Sequence, residues 1–531
     1  MIVSLGRTIA ARASFKPSRV VHTQYVTSVW VYRVWWSALL LLHLFNLAYY
    51  VTVAVLYKKL TWTNLDFQLS TYGIGIGQSD HARVSAVHAF VATLHAAYVI
   101  MMVASSIHAR KLAFFPDLRH FLAPIARLFG RSANCYRQDK KTTDTQDQTS
   151  RYSSRSLSRL VSESVIQTGN AVFARDGLLG VDSVYFDHIL LARELLETAL
   201  QTYQAYRMTQ LLPRPWLIRV YVLLLIANCW SVPVLHRIYK HRHTQRRMMS
   251  LLCDAVLDMV SSIGISIIIF ATYAPQYTDP AFGFAFTKWF EDEWFTTMQQ
   301  EFQMMLVVSW GDMASRLVFA FGLMQCMDAI KEMLTPVSED RQSSRRRSAT
   351  TDKQSRPNQS DLVVPFDRVG PTLGKPTLAP GSVQEAAPPI SMKQRVVELV
   401  LHVLGPACFV IWGIIILVIH IVAESYTSDV ACKLVLKPWL GTQPSCSLIE
   451  LNCYDLQVSG VYDDSPVMRQ AWEVFDPSIA SRLVIRHCPD LVIPDVINRF
   501  DHMTALKLYN VSLSAWEDSN ALTAAHHNAM K

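Results

Sequence analysis

Six stretches of this chain, residues 34–57, 84–107, 216–235, 248–273, 303–327 and 396–423, are apolar over the length an α-helix needs to cross a bilayer. No feature constrains the fold more tightly. A backbone surrounded by hydrocarbon must satisfy its own N–H and C=O groups, which leaves spanning helices or a closed barrel, and runs this long select helices. Only 17% of the 531 residues are charged, against about 25% in ordinary soluble domains. The expected fold class is therefore mostly α, a polytopic transmembrane helical bundle.

Orientation follows from the connectors. No acidic residue precedes Asp66, and Arg7, Arg12, Lys16, Arg19 and Arg33 lie in or at the end of a basic tail, 1–33, which is read as cytoplasmic. The alternative, a transit peptide, shares that composition; a cleavable signal peptide is not expected, because the first apolar run is too long for one. The connector 236–247 carries Arg237, Lys240, Arg242, Arg246 and Arg247, and the linker 335–394 carries Arg345, Arg346 and Arg347, so both are expected in the cytoplasm. The polar loop 108–184, basic at Lys140, Lys141, Arg151, Arg155 and Arg159, is placed there as well.

These assignments require one more crossing, since a single helix at 216–235 cannot return to the side it left. The candidate is 185–211, with Ile189, Ala192, Leu196, Ala199, Tyr203 and Tyr206 at helical spacing. Its Arg193, Glu194, Glu197 and Arg207 would have to face other helices and not lipid. The competing reading is an amphipathic helix on the cytoplasmic surface. With about seven spans grouped as 34–107, 185–334 and 396–423, the N-terminus is cytoplasmic, and the tail 425–531 is external or lumenal. The intervening loop 274–302, acidic and aromatic, also falls outside.

The tail agrees with that side. It holds 8 Lys and Arg against 12 Asp and Glu, whereas the whole chain is +8. It contains the sequon Asn510-Val511-Ser512, usable for glycosylation only on the external or lumenal side. Cys432, Cys446, Cys453 and Cys488 permit two disulfides there, in any of three pairings. The linker 335–394 has eight prolines and the composition of a disordered segment, and Ser348 directly after three arginines suits phosphorylation by a basophilic kinase or a simple lipid-facing anchor.

Within the tail, Leu483, Ile485, Cys488 and Leu491 have the L-x-L-x-x-C-x-x-L form of a leucine-rich repeat. Leu506, Leu508, Asn510 and Leu513 follow 23 residues later, and Ile449, Leu451, Cys453 and Leu456 precede by 34. A short α/β repeat module is expected, and few units imply a shortened array. With VWWSALLLLHL, ARELLETALQTYQAYRMTQLLPR, NCWSVPVLH, LCDAVLDMVSS and VVSWGDMASR, followed by LNCYDL, IRHCPDL and LKLYN, the chain resembles the multi-pass leucine-rich-repeat membrane proteins of oomycetes. The resemblance implies a membrane part and a repeat tail, and no chemistry.

Ionisable residues at membrane depth are the other functional candidates. Asp254 and Asp258 share a helix face and could carry a cation, relay protons, or pair with Arg193 or Arg219. Asp312 and Arg316, also four apart, could neutralise each other. His81, His88 and His95 recur every seven residues, a stripe read as interhelical packing; His43 and the pair His402 and His420 make poor haem partners. No phosphate-binding glycine loop, HExxH, G-x-S-x-G or zinc spacing is present. The expectation is a non-enzymatic membrane protein without cofactor or metal, in contact with membrane lipids and not nucleic acid, whose repeat tail binds an unknown protein or glycan, receptor-like. The rival is a secondary transporter or channel using Asp254, Asp258 and Asp312.

Overall fold

The computed structural model describes residues 28–61, 63–114, 177, 180–183, 185–240, 242–279, 283–335, 403–426, 431–441, 443–463 and 465–522. The basic tail before Ser28, most of the loop 108–184 with Cys135, and the linker with Ser348 and His402 lie outside them. The described chain is mostly helical. Six of its helices are long and apolar enough to cross a membrane, as expected of a multi-pass membrane protein.

Helix α1, Val29–Leu60, starts on Ser28, whose hydroxyl accepts from Val31 N, and ends with Lys58 and Lys59 in its last turn. A short helix α2, Asn64–Thr71, is capped by Thr63. It leads through Gly73 and Gly75, both with left-handed φ, into α3, Gln78–Ala109. Next come α4, Phe186–Leu211, and α5, Pro215–Ile238, which begins with proline at a position where a missing N–H costs nothing. Helix α6, His243–Met259, continues through one π turn, Val260–Gly264, into α7, Ile265–Tyr273. A small hairpin, β1 Tyr277–Asp279 and β2 Gly283–Phe284, precedes α8, Asp292–Met305. Helix α9, Trp310–Leu334, and α10, Gly405–Glu424, complete the bundle.

One expected span divides. Residues 303–327 are not a continuous helix: α8 stops at Met305, the chain extends through Leu306 and Ser309, and α9 starts at Trp310 on a Ser309 cap. Arg316 makes this break tenable. Its guanidinium donates to the carbonyls of Met304, Met305 and Leu306 at 2.9–3.2 Å, replacing the intrahelical donors that the last turn of α8 lacks. Periodicity cannot register such a break, because the residues on both sides remain apolar.

Helix α4 packs its polar face into the bundle along its length, while Leu195, Leu196 and Tyr203 are exposed. Asp187 at its start meets Arg247 at the start of α6, at 2.7 and 3.1 Å. Arg193 and Gln201 meet Asp254 and Asp258 further along, each at 2.9 Å, and Arg207 near its end meets Asp312 at the start of α9. It therefore runs parallel to α6 and antiparallel to α9. Glu194 and Glu197 are buried against protein, as a polar helix in this setting requires.

The tail is a separate α/β layer. Strand β3, Cys432–Leu436, pairs antiparallel with β4, Ser445–Asn452, and β4, β5 (Arg482–Arg486) and β7 (Ala505–Tyr509) run parallel. A second ribbon joins β6, Leu491–Val492, to β8, Leu513–Ala515. Helix α11, Pro466–Glu473, covers the connection between β4 and β5. The register sets Ile449 beside Leu483 and Leu506, and Leu451 beside Ile485 and Leu508. Disulfides join Cys432 to Cys446 and Cys453 to Cys488.

Candidate functional site: buried charge in the bundle and the face that docks on it

The most unusual chemistry lies between α4, α6 and α9. Arg193 Nη2 is 2.9 Å from Asp254 Oδ2, and its Nε is 3.3 Å from Glu197 Oε1. Asp258 accepts from Gln201 Nε2 at 2.9 Å; Gln201 also lies 3.4 Å from Ser261 Oγ and accepts from Asn228 Nδ2 at 3.0 Å. Glu194, Glu197, Asp254 and Asp258 are all buried; Arg193 contacts Glu197 and Asp254, and Glu194 lines a small cavity with Asp187, Arg246 and Arg247. Glu197 Oε1 and Asp258 Oδ2 are both buried without a hydrogen-bond partner.

The helices approach closely here because residue 322 is glycine. A Cβ at Gly322 would sit 2.1 Å from Glu197 Oε1, so any larger residue displaces the carboxyl. From Gln201 the polar strip continues to Tyr221, whose hydroxyl donates to Gln204 at 3.0 Å. It ends at a cavity of about 50 Å³ lined by Tyr50, His88, Gln204, Arg207, Ser261 and Arg316 among others, with room for a few waters. Asp312 closes this end, 3.3 Å from Arg316 and 3.4 Å from Arg207.

The residues expected along a membrane path are thus divided into two places. Asp254 and Asp258 join the inner cluster with Arg193, and Arg219 pairs instead with Glu424 at 2.7 Å. Asp312 and Arg316 pair with each other as expected, but Arg316 chiefly secures the broken helix. Sequence spacing gave no sign of Gly322 or of the helix break.

The histidine stripe faces α1. His95 Nδ1 is 3.0 Å from His43 Nδ1, whose other nitrogen is 2.7 Å from Lys331 Nζ. Lys331, fully buried, also reaches Asp328 at 3.0 Å and lies over the Tyr98 ring. Tyr50 stacks on His95, and Tyr57 on His88. His81 Nε2 meets the Ile76 carbonyl at 3.1 Å, with Asp66 at 3.7 Å. His43 thus has two side-chain partners, His95 and Lys331. The direct contact between its ring and His95 leaves no gap for a porphyrin. This is interhelical packing, extended by a buried lysine whose position at the end of α9 concealed it.

The tail meets the bundle through one face of its sheet. Ile449, Leu451, Leu483 and Ile485 point into the tail's own core with Trp472 and Phe500. The alternate residues turn toward α8. Arg482 is 2.8 Å from Asp292 and lies over the Phe295 ring, Lys507 is 2.5 Å from Asp292, and Arg486 is 3.8 Å away. Gln300 hydrogen-bonds Ser447. Burial pulls the Arg482 guanidinium below its ordinary range, and Asp292 partly restores it. Asp292 sits in the first turn of α8, where a carboxylate also meets the helix dipole favourably.

Of the expected repeat positions, Leu483, Ile485, Cys488 and Leu491 are fully buried, with the Cys488 sulfur taken by its disulfide. Leu506 is half-buried, whereas Leu508 and Leu513 are exposed, because nothing among the described residues stacks beyond β7 and β8. Asn510 is exposed with left-handed φ, and its Nδ2 is 2.9 Å from His487 Nδ1. No group of His, Cys, Asp and Glu among the described residues is arranged to hold a metal ion. No protein-family model, curated protein or solved structure matches this chain.

Proposed function

We propose that this protein is a seven-span membrane carrier or channel in which protons move through the Glu194, Glu197, Asp254 and Asp258 cluster, with the tail docked on the bundle. The observation that carries the reading is the burial of Glu194, Glu197, Asp254 and Asp258 among helices, with Arg193 in contact with Glu197 and Asp254 and with Asp258 Oδ2 unpartnered. Burying that many acids is expensive, and a bundle held only by packing would not need them. Gln201, Ser261 and Tyr221 extend the cluster from Asp258 toward the polar cavity near Asp312. In this reading α4 crosses the membrane, the N-terminus is cytoplasmic and the tail external.

The test is proton flux in proteoliposomes containing an internal pH-sensitive dye. Asp258→Asn and Glu197→Gln abolish flux while leaving the yield of folded protein intact; normal flux in both variants ends the proposal. Tags at the two termini, probed in intact and permeabilised cells, must lie on opposite sides of the membrane.

A second reading makes the tail a shortened leucine-rich-repeat module that recognises a protein or glycan, in keeping with the resemblance to oomycete membrane proteins. The parallel strands at offsets of 34 and 23 residues favour it. The face such modules commonly offer to partners is occupied here by α8, so recognition would use the exposed end at Leu508, Tyr509 and Leu513 or follow undocking. Deleting 425–531 removes partner binding in this reading, and glycosidase sensitivity at Asn510 reports the external side.

A further inference from the structure

Between α1 and α7 the bundle does not close. A cavity of about 560 Å³ lies there, walled by Phe45, Ala48, Thr52 and Leu56 of α1 and by Ile267 and Phe270 of α7. All four α1 residues are exposed on the helix surface that faces this opening. Phe45 to Leu56 covers about 16 Å at 1.5 Å per residue, which matches one leaflet of a hydrocarbon core about 30 Å thick. Water has too few polar partners along this wall to fill it, and an empty apolar slot of this size would forfeit the dispersion contacts of every side chain around it. The apolar molecule available at that depth is a lipid chain.

The two ends of the slot differ. Toward the tail's side it ends at Lys59, an exposed cation with no ion pair among the described residues. Thr63 and Tyr277 flank the same mouth. A lysine at this level reaches the headgroup region and attracts a phosphate. Toward the bundle axis the wall includes Tyr49, His88, Ser266 and Arg316, which also line the small polar cavity beside Asp312. The slot thus joins the membrane laterally to the bundle's polar interior.

We infer that this crevice is a lipid site: it holds one acyl chain of an anionic phospholipid from the leaflet on the tail's side, with the phosphate at Lys59. The inference does not depend on proton movement.

The experiment uses the full chain in nanodiscs containing phosphatidylglycerol or phosphatidylcholine with a diazirine on the acyl chain, irradiated and mapped by mass spectrometry. Adducts are expected on Phe45–Leu56 of α1 and on Ile267–Phe270 of α7. Ala48→Trp, which fills the slot from the exposed face of α1, lowers them about tenfold. Leu223→Trp, on an exposed face outside the slot, leaves them unchanged. Phosphatidylglycerol labels about fivefold more than phosphatidylcholine, a preference that Lys59→Gln removes. In the unaltered chain, excess unlabelled phosphatidylglycerol suppresses the crevice adducts and spares those at Leu223, so the site is tested even where the tryptophan variant fails to fold. Adducts spread in proportion to exposure over Leu41, Leu223 and Val418, crevice labelling unaffected by Ala48→Trp, or equal labelling by the two lipids would each overturn the proposal.

Discussion

In the tail, Ile449, Leu451, Trp472, Leu483, Ile485 and Phe500 form the interior, and the charged residues of β5 and β7 turn away from it. In the bundle, Arg193, Glu194, Glu197, Asp254, Asp258 and Lys331 lie inside, while Leu41, Leu223 and Val418 are 53–64% exposed. The two regions apply one rule in different solvents. Apolar surface leaves water for the tail's core, but in a bilayer the lipid tails are as apolar as leucine, so the interior of the bundle is the better place for charge. Polar pairs therefore join apolar packing inside the bundle. The tail uses packing and two cross-links.

That contrast can be broken most sharply at Arg193. Removing this guanidinium leaves the buried Glu197 and Asp254 carboxyls without their cation, and Arg193→Leu is expected to cost about 3–5 kcal/mol. Thermal unfolding in detergent measures it, and the double change with Asp254→Asn should recover much of the loss. A cost near zero would mean that the cluster does not support the fold. In the tail the corresponding change is Cys453→Ser with Cys488→Ser, expected to lose about 2–5 kcal/mol. Hydrogen exchange should show β4 and β5 opening while the amides of α4 and α6 keep their protection; loss of protection in both would show that the regions fold as one.

The joint between them responds less strongly. Asp292→Asn leaves Arg482 buried with a weaker partner, for an expected cost of about 1.5–3 kcal/mol, read as faster exchange in β5 and β7. Raised salt should weaken this docking only slightly, because Arg482 and Asp292 are shielded from solvent. The smallest effect belongs to the surface pair of Lys288 and Glu291, 2.7 Å apart and open to solvent. Lys288→Ala is expected to change stability by less than about 1 kcal/mol, and a larger change would show that charge at the bundle's edge matters as much as charge inside it.

Much of this architecture is legible in the sequence because it depends on local composition. Run length determined the apolar helices, and the L-x-L spacing shared by IELNCYDL, RLVIRHCPDL and ALKLYN aligns Ile449, Leu483 and Leu506, which the strand register sets side by side. The polar residues of 185–211 required helix neighbours, and Glu194 and Glu197 have them. Each inference needed only a period and a solvent. The break after Met305 was not legible, since its warrant is Arg316 reaching three carbonyls across the turn. Neither was the pairing of His43 with His95 and Lys331, residues separated in sequence by 52 and 288 positions.

The sequence by itself thus determined which segments are apolar enough for membrane and which carry the tail's strands, because burial free energy follows composition and period. Tertiary structure alone decided which charges meet. It brought Arg193 to Asp254, closed Gly322 on Glu197, chose one of three disulfide pairings, and laid Arg482 and Lys507 on Asp292. Those outcomes depend on distances of a few ångströms between segments far apart in the chain, and electrostatic and hydrogen-bond energies are set by those distances, not by the order of residues along the backbone.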